Sequence, residues 1–212
     1  MKMSTRKLAF TIAVALIISV VPFTALAGQA GVNILVSPTL VYDSVYPIFT
    51  DGLAAVYTGG KWGFVNSGGT AVVPARYDNF QRFNEGFAPV AVGDWTTGMN
   101  WGFINTSGNE IVSPRYFQLQ AFSEGFAPFA VGDWESHTWG YVNTSGTEVI
   151  PARFGNARGF SGGLAAVYID GMWGFINTSG NEVVPPRYAW VGDFSDDRAP
   201  VQSGNPETGY LW

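Results

Sequence analysis

The sequence predicts an all-β protein built from tandem three-stranded β-hairpin repeats, and three observations support this prediction. Trp-Gly pairs recur along the chain at spacings of 39, 38 and 34 residues. Between the pairs, short segments in which apolar residues alternate with a period of two are separated by Asn- and Gly-rich turns, which is typical of strands joined by hairpins. After residue 27, no apolar stripe with a helical period extends over ten residues, so we expect no helices there.

Each repeat contains a tryptophan that is followed 14 residues later by an arginine and then by an aromatic residue. The four copies read WGFVNSGGTAVVPARY, WGFINTSGNEIVSPRY, WGYVNTSGTEVIPARF and WGFINTSGNEVVPPRY. Ten residues after each arginine begins a second block of the type GFAPVAV. The recurring positions, which we interpret as a structural motif, are Trp62, Gly63, Arg76, Trp101, Gly102, Arg115, Trp139, Gly140, Arg153, Trp173, Gly174 and Arg187.

Three strands are expected in each repeat: strand A is the GFAPVAV block, strand B is WGFIN, and strand C is EVVPPRY. The turn between B and C, N-T-S-G-N or N-S-G-G-T, has the residues of a tight hairpin. Proline in strand C cannot donate to a ladder, so this strand should end there or lie at a sheet edge. The turn between A and B varies in length, and its long forms, GDWTTGMN and GDWESHT, should project from the scaffold.

These motifs resemble those of the WG-repeat proteins, a family named for the Trp-Gly pair. The resemblance covers about residues 43–212 and implies a bacterial, exported protein made of β-rich tandem repeats, a family whose ligands are mostly unknown. Residues 28–42 do not match the motif and are interpreted as a lead-in or cap. Trp212 stands where the tryptophan of a fifth pair would be, so we expect four repeats and a truncated fifth.

The size of the repeat indicates whether the array is open or closed into a ring. One three-stranded unit cannot bury its aromatic face alone, whereas stacked neighbours can. A propeller blade usually has four strands in about 40–45 residues, but these repeats are 34–39 residues long with three clear strands. We therefore expect an open solenoid-like array, with propeller-like closure as the alternative.

Residues 1–27 have the three-part pattern of a secretory signal peptide. A basic start with Lys2, Arg6 and Lys7 precedes a mostly apolar run from residue 8 to 21, and an Ala-Leu-Ala cleavage site ends at Ala27. An uncleaved anchor is the alternative, but a spanning helix needs about 20 apolar residues. We expect a cleaved signal, no stable membrane span afterwards, and a secreted or cell-surface protein.

Composition excludes several kinds of function. The chain has no cysteine and one histidine, His137, so thiolate chemistry and multi-histidine metal sites within the chain are excluded. The formal net charge is −5, and removal of three signal-peptide cations would leave 8 Lys and Arg against 16 Asp and Glu, a charge of −8. Nucleic acid is thus an unsuitable partner. No catalytic, cofactor or metal-binding motif occurs, and we predict a non-enzymatic protein.

Two interpretations compete for each recurring or extra residue. The Trp-Gly tryptophans could form a row of sugar-stacking platforms, but their constant register to strand C favours a packed core. Each motif arginine could bind anions, but it is expected to pack on the adjacent aromatic residue and pair with a local acid, Glu85 and Glu124 being nearby.

The extra tryptophans of the two long loops are the candidate ligand-binding residues. Trp95 and Trp134 each follow an aspartate, Asp94 and Asp133. An indole beside a carboxylate suits a sugar ring, because the C–H face stacks on the indole and the carboxylate accepts from hydroxyl groups; the alternative is a tryptophan folded back over its own loop. We therefore predict an exported binding module for cell-wall polysaccharide or another surface glycan. The alternatives are a structural or protein-interaction array, which could bind a surface protein and should bury both tryptophans, and a glycan-active enzyme.

Overall fold

A computed structural model describes residues 42–194, 198–205 and 209–211, with residues 204–205 and 209–211 described by backbone alone. The expected signal peptide, all but the last residue of the lead-in segment 28–42, and Trp212 lie outside these residues. The described residues contain no helix long and apolar enough to cross a membrane. The described residues form two compact units, one that ends at Arg76 and one that begins at Tyr77.

The described residues form tandem antiparallel sheets in which strands follow one another in chain order. The first sheet contains β1 (Ser44–Val45), β2 (Leu53–Thr58), β3 (Lys61–Asn66) and β4 (Ala71–Tyr77), and the second contains β5 (Asn79–Phe80), β6 (Phe87–Asp94), β7 (Gly98–Asn105) and β8 (Glu110–Tyr116). The third contains β9 (Gln118–Leu119), β10 (Phe126–Gly132), β11 (His137–Asn143) and β12 (Glu148–Phe154), and the fourth contains β13 (Asn156–Ala157), β14 (Leu164–Ile169), β15 (Met172–Asn177) and β16 (Glu182–Tyr188). The fifth contains β17 (Trp190–Val191), β18 (Val201–Asn205) and β19 (Gly209–Leu211).

The all-β prediction is confirmed, but the expectation of three-stranded repeats is wrong, because the first four sheets have four strands each. The additional strand has two residues and pairs with strand A of its sheet, as β5 pairs with β6. Two residues are too short to show an alternating pattern in the sequence. The open array was favoured over propeller-like closure partly because three strands were expected in each repeat, and that argument therefore does not hold.

Local turn chemistry explains the hairpins between strands B and C. The side-chain oxygen of Asn105 accepts hydrogen bonds from the backbone N–H groups of Ser107 and Asn109, and Asn66, Asn143 and Asn177 do the same in their repeats. Gly108 completes the turn with a φ of 81°, which glycine adopts without strain. Strand C is the edge strand of each four-stranded sheet, where its prolines are tolerated, as predicted.

The core of the second unit lies between consecutive sheets. One cluster combines Phe103 and Tyr116 of the second sheet with Phe129 and Val142 of the third. Phe122, which was not singled out from the sequence, inserts between repeats: its ring centroid lies 4.6 Å from that of Phe103. The second and third sheets therefore bury their aromatic faces against each other, as expected for a stacked array.

Two glutamates join successive repeats through the backbone. The carboxylate of Glu85 accepts hydrogen bonds from the N–H groups of Glu124 and Gly125, at 2.9 and 3.0 Å. Glu124 in turn accepts from Gly162 and Gly163, at 2.7 and 2.9 Å. The series stops in the fourth repeat, where Gly162 occupies the position of these glutamates and has no carboxylate. The expected pairing of Glu85 and Glu124 with the motif arginines is therefore wrong.

Candidate functional site

The Trp-Gly tryptophans pack against their own sheets. Trp139 is 5% exposed, and Trp62, Trp101 and Trp173 are half-buried. In the register of strands B and C, Trp101, Trp139 and Trp173 lie opposite the aromatic residue that follows the motif arginine, Tyr116, Phe154 and Tyr188. This position suits packing between strands rather than a row of free platforms.

The glycine of the pair allows strand C to approach strand B closely. A Cβ atom at Gly102 would lie 2.3 Å from the carbonyl oxygen of Val112 and 2.7 Å from the nitrogen of Pro114. The nearest distances at Gly63, Gly140 and Gly174 are 2.5, 2.5 and 2.6 Å, again to backbone oxygens. The register between the two strands shifts at this point in the later repeats. The Trp-Gly motif therefore combines an aromatic contact with a required close approach.

The motif arginines lie over the aromatic residue that follows them. The guanidinium carbon is 4.8 Å from the ring centroid of Tyr116 for Arg115, 4.9 Å from Phe154 for Arg153, and 5.1 Å from Tyr188 for Arg187. Arg76 is exposed at the corresponding place near the end of β4. This contact is the cation–π packing that the sequence predicts.

The arginine and tyrosine of one repeat bind the next repeat. Arg115 donates to the Tyr116 hydroxyl at 2.8 Å and to Glu148 at 3.3 Å, and Tyr116 donates to Glu148 at 2.6 Å. Burial, followed by the hydrogen bond to the Glu148 carboxylate, raises the pKa of Tyr116 to about 12. In the following repeat Phe154 replaces the tyrosine, and Arg153 donates to the carbonyl oxygen of Gly180 at 2.8 Å instead.

The two loop tryptophans are exposed, Trp95 by 74% and Trp134 by 72%. The ring of Trp134 meets that of Phe117 edge-on at 4.8 Å between centroids, and Phe117 is 5.4 Å from the ring of His137. These contacts hold one edge of the Trp134 indole while most of its surface stays accessible. His137 is itself fixed, because its Nδ1 donates to the carbonyl oxygen of Asp133 at 3.0 Å.

The two loop aspartates shape the loops. Asp94 Oδ1 accepts from the N–H groups of Thr96 and Thr97 at 2.7 and 2.8 Å, and both threonine hydroxyls also donate to this carboxylate. The Thr96 hydroxyl, and then the other donors of the loop, hold the pKa of Asp94 well below its usual value. Asp133 Oδ1 accepts from Ser136 and Glu135, and these N–H groups likewise lower the pKa of Asp133. Both carboxylates thus fix the loops on which the tryptophans stand.

A groove of about 480 Å³ brings the two long loops together. Trp95 and Asp94 line it from the second sheet, and Trp134 lines it from the third. The volume falls in the range of roughly 300–1,000 Å³ that is usual for small-ligand sites. Asp133 is not among the lining residues, so of the four predicted ligand-binding residues the groove contains three.

Amide side chains complete the groove, and sequence reasoning missed them: Gln81, Gln118, Gln120 and Asn156. Gln81 and Gln120 each donate through Nε2 to a backbone carbonyl of the next repeat, at 3.4 and 3.1 Å. The sequence offered no usable signal for them, because β9 contains only Gln118 and Leu119 and is too short for a recognisable strand pattern.

One lining residue has an unsatisfied polar atom. The indole Nε1 of Trp139 is buried, and among the described residues it has no hydrogen-bond acceptor. A buried donor without a partner costs about 1–3 kcal/mol. Trp139 also lines the groove, where its ring lies 6.2 Å from that of His137.

Comparison with known proteins identifies the repeat. A family model described as "WG containing repeat" matches residues 33–62, 62–94, 101–133, 139–173 and 173–205. The first match begins inside the segment assigned above to a lead-in or cap, and five matches stand where four repeats and a truncated fifth were expected. No curated protein shows significant similarity to the sequence.

Among solved structures, the crystal structure of the tricorn protease is similar to this chain with 15% sequence identity and a TM-score of 0.28. The match covers 77% of this chain and 20% of that chain. This chain therefore spans about a fifth of the length of the protein that it matches.

Proposed function

We propose that this chain, which belongs to the WG-containing repeat family, is an exported, non-enzymatic binding module that holds a cell-wall or surface glycan in the groove between its two long loops. The observation that carries the proposal is that Trp95 and Trp134, 74% and 72% exposed, line the same groove. Exposed apolar patches that are rimmed by polar residues mark interaction sites, and aromatic residues are enriched in such sites.

The lining chemistry supports a sugar as the ligand. An indole offers a flat apolar face to the C–H groups of a pyranose ring, and burying that face from water is favourable. Amide groups at the edge of the groove can accept from and donate to hydroxyl groups, and a carboxylate can accept from them. The edge contact between Trp134 and Phe117 keeps the indole in place before a ligand arrives, which lowers the entropy lost on binding.

The alternatives have less support. A structural or protein-interaction array was expected to bury Trp95 and Trp134, and both are exposed. A glycan-active enzyme would use two carboxylates roughly 5–10 Å apart, whereas Asp94 is the one carboxylate among the described residues that line the groove. The Asp94 oxygens also accept four hydrogen bonds within the loop.

Export is part of the proposal and depends on residues 1–27, which lie outside the described residues. A signal peptide that ends at Ala27 would release the protein to the cell surface or the medium. There, a groove for polysaccharide would meet its ligand. A surface protein is the alternative partner.

The path of the array determines how the groove is presented. An open array remains our proposal, and no closed sheet occurs among the described strands. Propeller-like closure is the alternative. The four-stranded meanders of the first four sheets favour it, since propeller blades have that form. Small-angle scattering would distinguish an elongated particle from a compact disc.

A pull-down on insoluble polysaccharide tests the proposed function. The full chain as exported is incubated with purified cell wall beside the double variant Trp95→Ala/Trp134→Ala and the control Trp190→Ala. Trp190 is an exposed tryptophan of β17 that does not line the groove. We expect the wild type and the control to sediment with the wall and the double variant to stay in solution.

Circular dichroism of all three proteins shows whether each is folded. Absence of binding by a folded wild type would refute the proposed function. Equal binding by the double variant would show that the groove is not the site.

A further inference from the structure

We infer that the ligand of the groove is a neutral, uncharged oligosaccharide that spans two consecutive repeats. This inference rests on the proposed function and specifies the chemical class of its ligand. It is carried by the charges and polar groups of the lining and by the origin of the two tryptophans.

The lining has the charge pattern of a site for neutral sugars. Among the described residues that line the groove there is no lysine or arginine, and the one ionisable acid is Asp94. Acidic glycans that contain carboxylate, phosphate or sulfate groups are typically bound by arginine or lysine. A carboxylate is ionised at neutral pH, and the threonine donors of its loop lower the pKa of Asp94 further. This charge would repel an anionic chain.

The amide groups provide hydrogen-bond acceptors for hydroxyl groups. Gln81 and Gln120 are oriented by the hydrogen bonds that their Nε2 atoms donate to the backbone. No described residue donates to the amide oxygen of Gln81, Gln118 or Gln120. Neutral sugars have many hydroxyl groups, which donate to such oxygens.

The two loop tryptophans belong to different repeats. Trp95 follows β6 of the second sheet, and Trp134 follows β10 of the third. A ligand that uses both indoles must extend from one loop to the other along the groove. A chain of several sugar rings can provide one ring for each indole, and the two contacts then add to the binding free energy of one ligand.

Isothermal titration of the full chain tests the inference with ligands matched in length. The neutral probes are hexasaccharides of glucose and of N-acetylglucosamine, the acidic probe is a hexasaccharide of galacturonic acid, and the short probes are the corresponding monosaccharides. We expect at least one neutral hexasaccharide to bind, with an affinity that changes less than about twofold between roughly 0.05 and 0.5 M salt. We expect its monosaccharide to bind at least tenfold more weakly and the acidic probe not to bind.

Single variants locate the contacts. Trp95→Ala and Trp134→Ala should each weaken binding of the neutral hexasaccharide about tenfold or more, which corresponds to about 1.4 kcal/mol or more. Gln118→Lys should create salt-sensitive binding of the acidic hexasaccharide, because it places a cation in the groove. The control Gln202→Lys, on β18 outside the groove, should not.

Failure of this inference is distinct from failure of the proposed function. If the wild type bound the acidic probe in a salt-sensitive manner and lost it with the tryptophan variants, the glycan site would stand and the neutral class would be wrong. If a monosaccharide bound as tightly as its hexasaccharide, the span over two repeats would be wrong. If folded protein bound no glycan, including insoluble cell wall, both proposals would be refuted.

Discussion

Replacement of Gly63 by alanine should destabilise the first sheet strongly. The new Cβ would lie 2.5 Å from the carbonyl oxygen of Val73 and 2.7 Å from the nitrogen of Ala75, whereas ordinary contacts of such an atom lie at 3.4–4 Å. Both neighbours are backbone atoms of strand β4, so no side-chain rotation can relieve the overlap. Insertion of one methyl group into well-packed structure usually costs 1–3 kcal/mol, and this backbone clash places Gly63→Ala at about 3 kcal/mol or more.

The matched control is Gly68→Ala, in the turn of the same hairpin. Its Cβ would have one neighbour, the side-chain oxygen of Asn66 at 3.4 Å, and its φ needs no glycine. The corresponding residues of the other repeats are serines, and we expect a change within about 0.5 kcal/mol. Urea unfolding followed by circular dichroism measures both variants. A loss below about 0.5 kcal/mol for Gly63→Ala would refute the close-approach explanation of the Trp-Gly pair.

Four further predictions follow from the contacts between repeats, the loops and the N-terminus. Glu124→Gln should lower the free energy of unfolding by about 1 kcal/mol, because it weakens two charge-assisted hydrogen bonds to the next repeat. The control Glu135→Gln, at an exposed loop position, should have little effect. Chemical denaturation measures both variants. The pKa of Tyr116 is raised to about 12, so its contribution to stability is complete below pH 10 and should be lost as the pH rises towards 12, by about 2–3 kcal/mol. The free energy of unfolding of the wild type should therefore fall more steeply with pH than that of Tyr116→Phe. Equal slopes would contradict the raised pKa of Tyr116. The pKa of Asp133 is lowered by hydrogen bonds from backbone N–H groups. The ionised carboxylate therefore holds the loop in place above the usual aspartate pKa near 4, and this effect should be lost as the pH falls through the lower pKa of the folded protein. Tryptophan fluorescence of the wild type, compared with that of Asp133→Ala, reports this transition. The mass of the exported protein should correspond to a chain that begins at Gly28, and retention of residues 1–27 would contradict the predicted cleavage.

Much of the local structure could be predicted from the sequence, because it depends on residues close together in the chain. The hairpin between strands B and C follows from an asparagine and a glycine three residues apart, such as Asn105 and Gly108, whose hydrogen bonds and φ angle close the turn. The period-two pattern of WGFIN marks a strand, and the length variation of the A–B turn marks the loops that project. The exposure of Trp95 and Trp134 agrees with their place in those loops.

Contacts between repeats could not be predicted, because they join residues nearly 40 positions apart and depend on how the sheets stack. Glu85 was expected to pair with an arginine nine residues away, but it accepts from the backbone of Glu124, 39 residues away. The short strand β9 and the amide side chains of Gln118 and Gln120 become important only because the third sheet lies beside the second and leaves a groove between them.

The sequence by itself determined that this protein is a β-repeat array with long loops that present Trp95 and Trp134, since repeated patterns and turn residues encode local backbone geometry directly. Only the tertiary structure decided that the two tryptophans line one groove, that Asp94 and Asp133 form hydrogen bonds within their own loops, and that the glycine of each Trp-Gly pair makes room for strand C. These features depend on distances between atoms of different strands and sheets. Packing sets those distances, and residue spacing alone does not express them.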